Sequence, residues 1–165
     1  MTTDSAELTR LMKRAVRACT AHVDAGGLPF VGVVATPEGE AVSGFAPNRV
    51  AETADPMAHA EIVAMREVLA DGRDDLTGLV LLATGEACGQ CYRYAIDHGI
   101  DRIYVAVDRD RAAALGFDYR SSYRRFGVTD AIRDRLARSL SVPDDLEPFT
   151  RYIDMAGAPP EDKPS

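Results

Sequence analysis

Apolar residues recur at steps of three and four positions between Ser5 and Ala25, with basic residues between them. This spacing predicts an amphipathic helix, because side chains three and four residues apart share one helix face. The apolar positions are Leu8, Leu11, Met12, Ala15, Val16, Cys19 and Val23. Gly26 and Gly27 end the predicted helix, and Pro29 prevents its continuation. We therefore expect a helix with one face suited to burial.

Short runs of β-branched and apolar residues predict the strands of a sheet. Residues 30–35 and 40–45 flank the turn sequence Thr-Pro-Glu-Gly, and together they predict a hairpin. Residues 79–83 are apolar throughout, which is typical of a strand that is buried on both faces. Residues 102–107 predict a further strand of the same sheet.

Helical patterns alternate with the later strands. One helix is predicted over residues 58–71, where Gly72 ends it, and another over residues 88–98, where Gly99 takes the C-cap position. Weaker patterns predict helices over residues 111–115, 130–140 and 146–155. Strand, helix and strand in close succession imply right-handed crossovers and parallel pairing. The elements predict an α/β fold: a three-layer α/β/α sandwich around a central mixed sheet of about five strands.

The composition is that of one globular domain. A chain of 165 residues, 46% hydrophobic and 27% charged, can bury a sizeable core without disulfides or structural metals. We expect a single domain over residues 1–156. Residues 157–165 contain three prolines and alternating charges, and we expect them to form a flexible C-terminal tail.

Net charge and cysteine content indicate which class of binding partner and which cellular compartment to expect. The net charge of −7 argues against a nucleic-acid partner, since such proteins carry clustered basic residues. The apolar stretches are too short to cross a membrane, and the first residues lack the pattern of a signal peptide. Three cysteines do not suit a disulfide framework, and they favour reduced thiols in the cytoplasm. A small molecule is therefore the expected partner.

Two short motifs carry candidate chemistry. His-Ala-Glu at 59–61 and Cys-Gly-Gln-Cys at 88–91 each begin a predicted helix, where unpaired backbone N–H groups and the helix dipole favour anionic ligands. Two thiolates and one imidazole suit zinc and leave a fourth position for water. A nearby carboxylate can then act as general acid and base. The candidate Zn²⁺ ligands are His59, Cys88 and Cys91, and the candidate catalytic residue is Glu61.

Either motif alone has other interpretations. The cysteine pair also fits a thiol redox protein or half of a structural zinc site. A structural site needs a fourth protein ligand, and His98 lies about 10 Å along the helix from Cys91, too far to reach the same ion. A non-catalytic zinc-binding scaffold is a further alternative, which the presence of Glu61 disfavours. The two motifs together favour a catalytic zinc site.

Several segments match one known family. They are Pro29-Phe30, Asn48, Asp-Pro-Met-Ala-His-Ala-Glu-Ile at 55–62, Thr-Gly-Glu-Ala-Cys-Gly-Gln-Cys at 84–91 and Gly-Phe-Asp at 116–118. The chain thereby resembles the cytidine-deaminase-like superfamily of zinc deaminases over nearly its whole length. The resembling branch contains guanine, cytosine and tRNA adenosine deaminases. Membership would imply a zinc-dependent hydrolytic deaminase, a cytidine-deaminase-like fold and a homodimer.

The resemblance also implies roles for residues around a substrate. Phe30 and Asn48 would line the base pocket, and the backbone N–H of Ala60 would meet the substrate's carbonyl or developing anion. Asp118 and Tyr119 stand where guanine deaminases engage the purine. These five residues are the candidate substrate-binding set.

Three of the places where the chain departs from the family pattern bear on the ligand loop or the substrate. Ala87 stands before the first cysteine, where the family usually has proline. Tyr119 stands where guanine deaminases usually have a second acidic residue. Those enzymes also tend to end in a Lys-x-x-Tyr-like segment, whereas Lys163 is followed only by Pro164 and Ser165.

The resemblance predicts hydrolytic deamination of a nucleobase or nucleoside, with guanine as the leading substrate. Cytosine, cytidine, guanosine, adenine and a triazine are the alternatives, and tRNA is disfavoured by the net charge. The arginines at 120, 124 and 125 either hold a substrate phosphate or form a solvated surface patch.

Overall fold

A computed structural model describes residues 3–159 of the chain. Its helices are α1 (Thr3–Asp24), α2 (Val50–Thr53), α3 (Ala60–Ala70), α4 (Gly89–Asp97), α5 (Arg109–Ala114), α6 (Ser121–Arg125), α7 (Asp130–Leu136) and α8 (Glu147–Ala156). Its strands are β1 (Val31–Ala35), β2 (Ala46–Pro47), β3 (Val80–Gly85), β4 (Arg102–Val107) and β5 (Ala137–Ser139).

The strands form one mixed five-stranded sheet in the order β2-β1-β3-β4-β5. β1 pairs antiparallel with both β2 and β3. β3 and β4 are parallel, with Val80 opposite Arg102, and β4 and β5 are also parallel. The crossover from β3 to β4 is α4, as expected for parallel neighbours. The predicted sheet is thus confirmed.

The sheet is buried on both faces, because alternate residues of its strands belong to two cores. Val31, Val33 and Ala35 of β1 pack with the apolar face of α1. Val34 faces the opposite side and joins the core that contains α3 and α4. A sheet between two helical layers is the predicted α/β/α arrangement.

The predicted strand over residues 40–45 is wrong. The antiparallel partner of Val31 and Gly32 is β2, and within 40–45 only Ala41 forms a bridge, to Ala35. The Val42 N–H still donates to the Val34 carbonyl at 2.8 Å, so the hairpin turn forms, but other backbone groups here bond to side chains. The Val34 N–H donates to the Ser43 hydroxyl at 2.9 Å, and the Gly44 N–H donates to the Glu67 carboxylate.

The predicted helix over residues 130–140 ends earlier than expected. It stops at Leu136, and Ala137 adopts an extended backbone that begins β5. The Arg138 guanidinium donates to the carbonyls of Asp134, Arg135 and Ala137, which closes the helix end. Pairing with β4 then outweighs the local helical pattern.

The remaining regions agree with the sequence pattern to within a few residues or add short helices. α2 lies inside the connection that precedes α3, and α6 follows the Gly-Phe-Asp segment. Gly157 ends α8 in the left-handed conformation at φ 83°. Residues 160–165 of the expected tail lie outside the described residues. Within residues 3–159, no helix is both long and apolar enough to cross a membrane.

Candidate active site

Both motifs lie where a helix begins. His59 is the N-cap of α3 and Cys88 is the N-cap of α4, each with an extended backbone. Neither side chain makes a capping hydrogen bond to its helix, although N-cap side chains commonly do so. The imidazole and the thiol are instead directed toward each other across the two helix N-termini.

The three predicted ligands converge on one point. Cys88 Sγ and Cys91 Sγ are 3.7 Å apart, and His59 Nδ1 lies 3.4 Å from Cys88 Sγ and 3.3 Å from Cys91 Sγ. A tetrahedral zinc with Zn–S near 2.3 Å and Zn–N near 2.0 Å requires separations of about 3.8 Å and 3.5 Å. The donor set therefore fits zinc in both chemistry and spacing.

Burial opposes ionisation of the Cys91 thiol in this cluster. Cys91 is fully buried, and burial raises the pKa of its thiol well above the usual value. Burial disfavours the charged form of His59, but the neighbouring Cys88 and Glu61 outweigh this and raise the pKa of the imidazole. A divalent cation compensates two thiolates at such a site, so a metal is the electrostatic complement of this cluster.

Glu61 lies beside the cluster without being one of its three donors. Its side chain is fully buried, with Oε2 3.5 Å from Cys91 Sγ. Its Oε1 has no hydrogen-bond partner among residues 3–159. Burial, reinforced by Cys88, raises the pKa of Glu61 to about 7. A buried carboxylate of this kind is suited to exchanging a proton near neutral pH.

A glycine lets the sheet approach the start of α3. A Cβ at Gly32 of β1 would lie 3.0 Å from Cα of Glu61 and 3.2 Å from the carbonyl of Ala60. The first turn of α3 therefore rests directly on the strand backbone. This contact fixes the depth at which His59 and Glu61 enter the site.

An aromatic cluster stands at the end of β3. Phe30 makes edge-to-face contacts with Phe117, Tyr119 and Phe149 at centroid distances of 6.1, 6.0 and 5.4 Å. A Cβ at Gly85 would lie 2.8 Å from both Phe30 and Phe149. The absence of a side chain at Gly85 thus lets the rings pack against the end of β3. Residues 86–88, called here the Cys88 loop, follow directly.

The other predicted substrate-binding residues have different surroundings. Ala60 is the first residue of α3, so its backbone N–H has no acceptor within the helix. Asn48 is half-buried after β2, and its Oδ1 accepts from the Val50 N–H at 3.0 Å. Asp118 is exposed, and both of its oxygens accept from Arg120.

Tyr119 is fully buried, and its hydroxyl donates to the Glu86 carbonyl at 2.6 Å. The arginine cluster that follows it lies on the surface. Arg120 is half-exposed and pairs with Asp110 and Asp118, and Arg124 and Arg125 are exposed. These contacts favour the interpretation of a solvated surface patch.

Glu86 is a second buried carboxylate near the cysteines. It accepts from the Tyr92 hydroxyl at 2.7 Å, the Arg109 N–H at 2.9 Å and two nitrogens of Arg133 at 2.5 and 2.8 Å. Four donors satisfy both oxygens, so the buried charge is fully compensated. Glu86 therefore ties the loop before Cys88 to α4, α5 and α7.

Sequence reasoning missed several residues that surround the site. They are Phe149 in the aromatic cluster and Glu86, Tyr92, Ser122, Tyr123 and Arg133 around the Cys88 loop. Ser122 and Tyr123 directly follow the Gly-Phe-Asp-Tyr segment, and that proximity was the one local signal for them. The partners of Phe149 and Arg133 are far away in sequence, and no local pattern indicates them.

Comparisons with known proteins agree with this geometry. The model of the cytidine and deoxycytidylate deaminase zinc-binding region matches residues 5–107, which contain both motifs. The guanine deaminase of Bacillus subtilis is 29% identical over 147 residues, covering 88% of this chain and 93% of that protein. The tRNA(Ile)-lysidine synthase of Deinococcus deserti is 33% identical over 87 residues, and these cover 52% of this chain but only 16% of the synthase.

A solved structure shares the fold. The guanine deaminase from Nitrosomonas europaea superposes with a TM-score of 0.74 at 22% identity, covering 87% of this chain and 83% of that one. The similarity extends beyond the zinc-binding region, since it includes the C-terminal part of the chain.

Proposed function

This chain belongs to the cytidine and deoxycytidylate deaminase family with a zinc-binding region, and we propose that it deaminates a free purine base, guanine or a close analogue. Its reaction class is that of the family, zinc-dependent hydrolytic deamination. The observation that carries the catalytic assignment is the buried, unpartnered Oε1 of Glu61 beside the three-donor cluster.

His59, Cys88 and Cys91 would hold the zinc, because their donor atoms have the required identity and spacing. Bound zinc supplies a Lewis acid that activates water near neutral pH. Glu61 takes one proton from the attacking water and delivers it to the ring nitrogen, and it then carries the second proton of that water to the departing amine. Water adds to the ring carbon, the carbon–nitrogen bond breaks, and ammonia leaves.

The proposed substrate contacts come from elements around this centre. The backbone N–H of Ala60 donates to the oxygen or developing anion of the ring, since it has no acceptor within α3. Asn48 and Phe30 are proposed to bind the edge and face of the base. Asp118 is proposed as a further contact, which requires a change in its pairing with Arg120.

Guanine is favoured by similarity over most of the chain. The Bacillus subtilis relative is a guanine deaminase, and the alignment covers 93% of its length. The Gly-Phe-Asp segment at 116–118 resembles the same group of enzymes. Phe117 of that segment belongs to the buried aromatic cluster, so the segment is anchored close to the Cys88 loop.

A substrate panel tests the proposal. Zinc-loaded protein is assayed for ammonia release from guanine, adenine, cytosine, an aminotriazine, guanosine, cytidine and guanosine monophosphate. The highest kcat/KM is expected for guanine. A higher value for a pyrimidine or a nucleoside would assign the alternative substrate, and a preference for the nucleotide would restore the phosphate role of the surface arginines.

We also propose a cytoplasmic homodimer. Dimers are implied by the family resemblance, and the three buried cysteines form no disulfide among the described residues, which suits a reducing compartment. Sedimentation equilibrium across a range of protein concentrations tests the dimer. A mass of one chain, 17.8 kDa, at all concentrations would contradict it.

A further inference from the structure

One short segment contacts the backbone on both sides of Cys88. The segment is residues 119–123, Tyr-Arg-Ser-Ser-Tyr, called here the clamp segment. The Tyr119 hydroxyl donates to the Glu86 carbonyl at 2.6 Å, and the Tyr123 hydroxyl donates to the Ala87 carbonyl at 2.5 Å. These carbonyls belong to the two residues before Cys88, so two hydrogen bonds hold the backbone that leads to this candidate ligand.

The clamp segment also contacts the residue after Cys88. The Gly89 N–H donates to the Ser122 hydroxyl at 2.8 Å, and that hydroxyl in turn donates to the Tyr119 carbonyl at 2.6 Å. Gly89 is the first residue of α4, whose N–H has no acceptor within the helix. An N-cap side chain usually accepts from the first turn, but the thiol of Cys88 does not.

Ser122 therefore satisfies the first backbone N–H of α4. The hydroxyl of Ser122 is buried and reaches Gly89 from a segment 33 residues away. This arrangement stabilises the start of α4 while the sulfur of Cys88 remains directed toward His59, 3.4 Å away. The Cys88 side chain can therefore be oriented toward a metal without also capping the helix.

The close packing at this contact depends on the absence of a side chain. A Cβ at Gly89 would lie 2.3 Å from the Ser122 carbonyl oxygen and 3.1 Å from Cα of Tyr123. Both atoms belong to backbone, which cannot move aside cheaply. Gly89 and the clamp segment are therefore matched to each other.

We propose that Tyr119, Ser122 and Tyr123 are positioning residues that hold the backbone around Cys88 in the arrangement that zinc binding requires. The clamp does at Ala87 what proline does in the resembling family: it pre-sets the backbone at the start of the ligand helix. Tyr119 then acts through the Cys88 loop and not on the substrate. The departures at Ala87 and Tyr119 are thus two parts of one arrangement.

The test measures zinc affinity, which does not depend on the identity of the substrate. The variants are Tyr119→Phe with Tyr123→Phe, which keep both rings and remove both hydroxyls, and Ser122→Ala. Tyr104→Phe is the matched control, because Tyr104 packs into the core on the other face of the sheet. Apparent zinc affinity is measured by competition with a chromophoric chelator, and thermal unfolding is measured for each metal-free protein.

Zinc affinity is expected to fall about 10- to 100-fold in the double tyrosine variant and to fall in Ser122→Ala, with less than a twofold change in Tyr104→Phe. The thiolate-to-Co²⁺ absorption of the cobalt-loaded double variant should also shift. Zinc affinity within twofold of wild type, with only the melting temperature lowered, would overturn the proposal. If the double variant does not fold, Ser122→Ala and Tyr123→Phe alone decide by the same criterion.

Loss of zinc affinity in these variants is distinguishable from failure of the proposed function. A clamp variant is expected to lose metal whatever the substrate is. A wrong substrate assignment would leave both the wild-type zinc affinity and the effect of the clamp variants unchanged.

Discussion

Oε2 of Glu61 lies 3.5 Å from the sulfur of Cys91, although the two residues are 30 positions apart and lie in the first turns of different helices. The carboxylate is thus placed beside the metal ligands, while its Oε1 has no partner among the described residues. Glu61→Gln keeps the shape of the side chain and removes its capacity to carry a proton. We expect kcat to fall roughly 100- to 10,000-fold.

Zinc content provides the control for this variant. The ligands His59, Cys88 and Cys91 are unchanged, so Glu61→Gln should retain one zinc per chain. Metal analysis and ammonia release are measured on the same preparation. Wild-type turnover by Glu61→Gln would refute the assignment of Glu61 as the proton carrier.

Asn48→Ala tests the proposed contact with the edge of the base. Loss of one hydrogen bond to a substrate is expected to raise KM about tenfold, with a smaller effect on kcat. Arg49→Ala is the neighbouring control, because Arg49 is exposed and pairs with Glu52. Since Asn48 also accepts from the Val50 N–H, the melting temperature is compared as well. Equal KM values for Asn48→Ala and wild type would contradict the contact.

Arg133→Met tests the pairing that compensates Glu86. The substitution removes two donors from a fully buried carboxylate, and we expect the free energy of unfolding to fall by about 2–3 kcal/mol. Arg125 is exposed, so Arg125→Met should change it by less than about 0.5 kcal/mol. Urea unfolding of the two variants checks the prediction, and similar values for both would show that Glu86 does not depend on Arg133.

Gly85→Ala tests the packing of the aromatic cluster. The added methyl group would lie 2.8 Å from Phe30 and Phe149, so the rings must move, at an expected cost of about 1–3 kcal/mol. Gly44→Ala is the control, because its Cβ would meet only Glu67 at 3.6 Å, an ordinary contact. Thermal unfolding of both variants gives the comparison. An unchanged melting temperature for Gly85→Ala would show that the aromatic cluster can accommodate the methyl group without cost.

Removal of zinc should expose the cysteines unequally. Cys19 is buried between α1 and the sheet, and burial raises the pKa of its thiol to about 12. Chelation leaves Cys88 and Cys91 without their metal but does not disturb that core. We expect iodoacetamide to modify Cys88 before Cys19, which should react only after unfolding. Peptide mass spectrometry reads the order, and early modification of Cys19 would show that metal loss unfolds the domain.

The elements with strong local periodicity could be predicted from the sequence, and so could the three candidate zinc ligands that the fold brings together. His59 and Cys88 each precede an apolar helical pattern, and the spacing of Cys91 places it on the same helix turn. The strand over residues 40–45 could not be excluded locally. Glu67 of α3 accepts the Gly44 N–H at this place, and nothing in residues 40–45 indicates that partner.

The residues that surround the site could not be predicted from the sequence, because their partners are distant along the chain. The hydroxyl of Tyr119 donates to a carbonyl 33 residues earlier, a partner that its position after Gly-Phe-Asp does not indicate. Arg133 reaches Glu86 across 47 positions. Nothing in the neighbouring sequence of either residue indicates such a partner, since the sheet and not the local chain brings them together.

The contact between Gly89 and Ser122 provides a fingerprint for recognising related chains. Because the two backbones leave no room for a Cβ, Ala-Cys-Gly-x-Cys and Tyr-x-x-Ser-Tyr should be inherited together, about 30 residues apart. Joint occurrence of the two patterns would mark a distinct lineage within the family, recognisable without a structure.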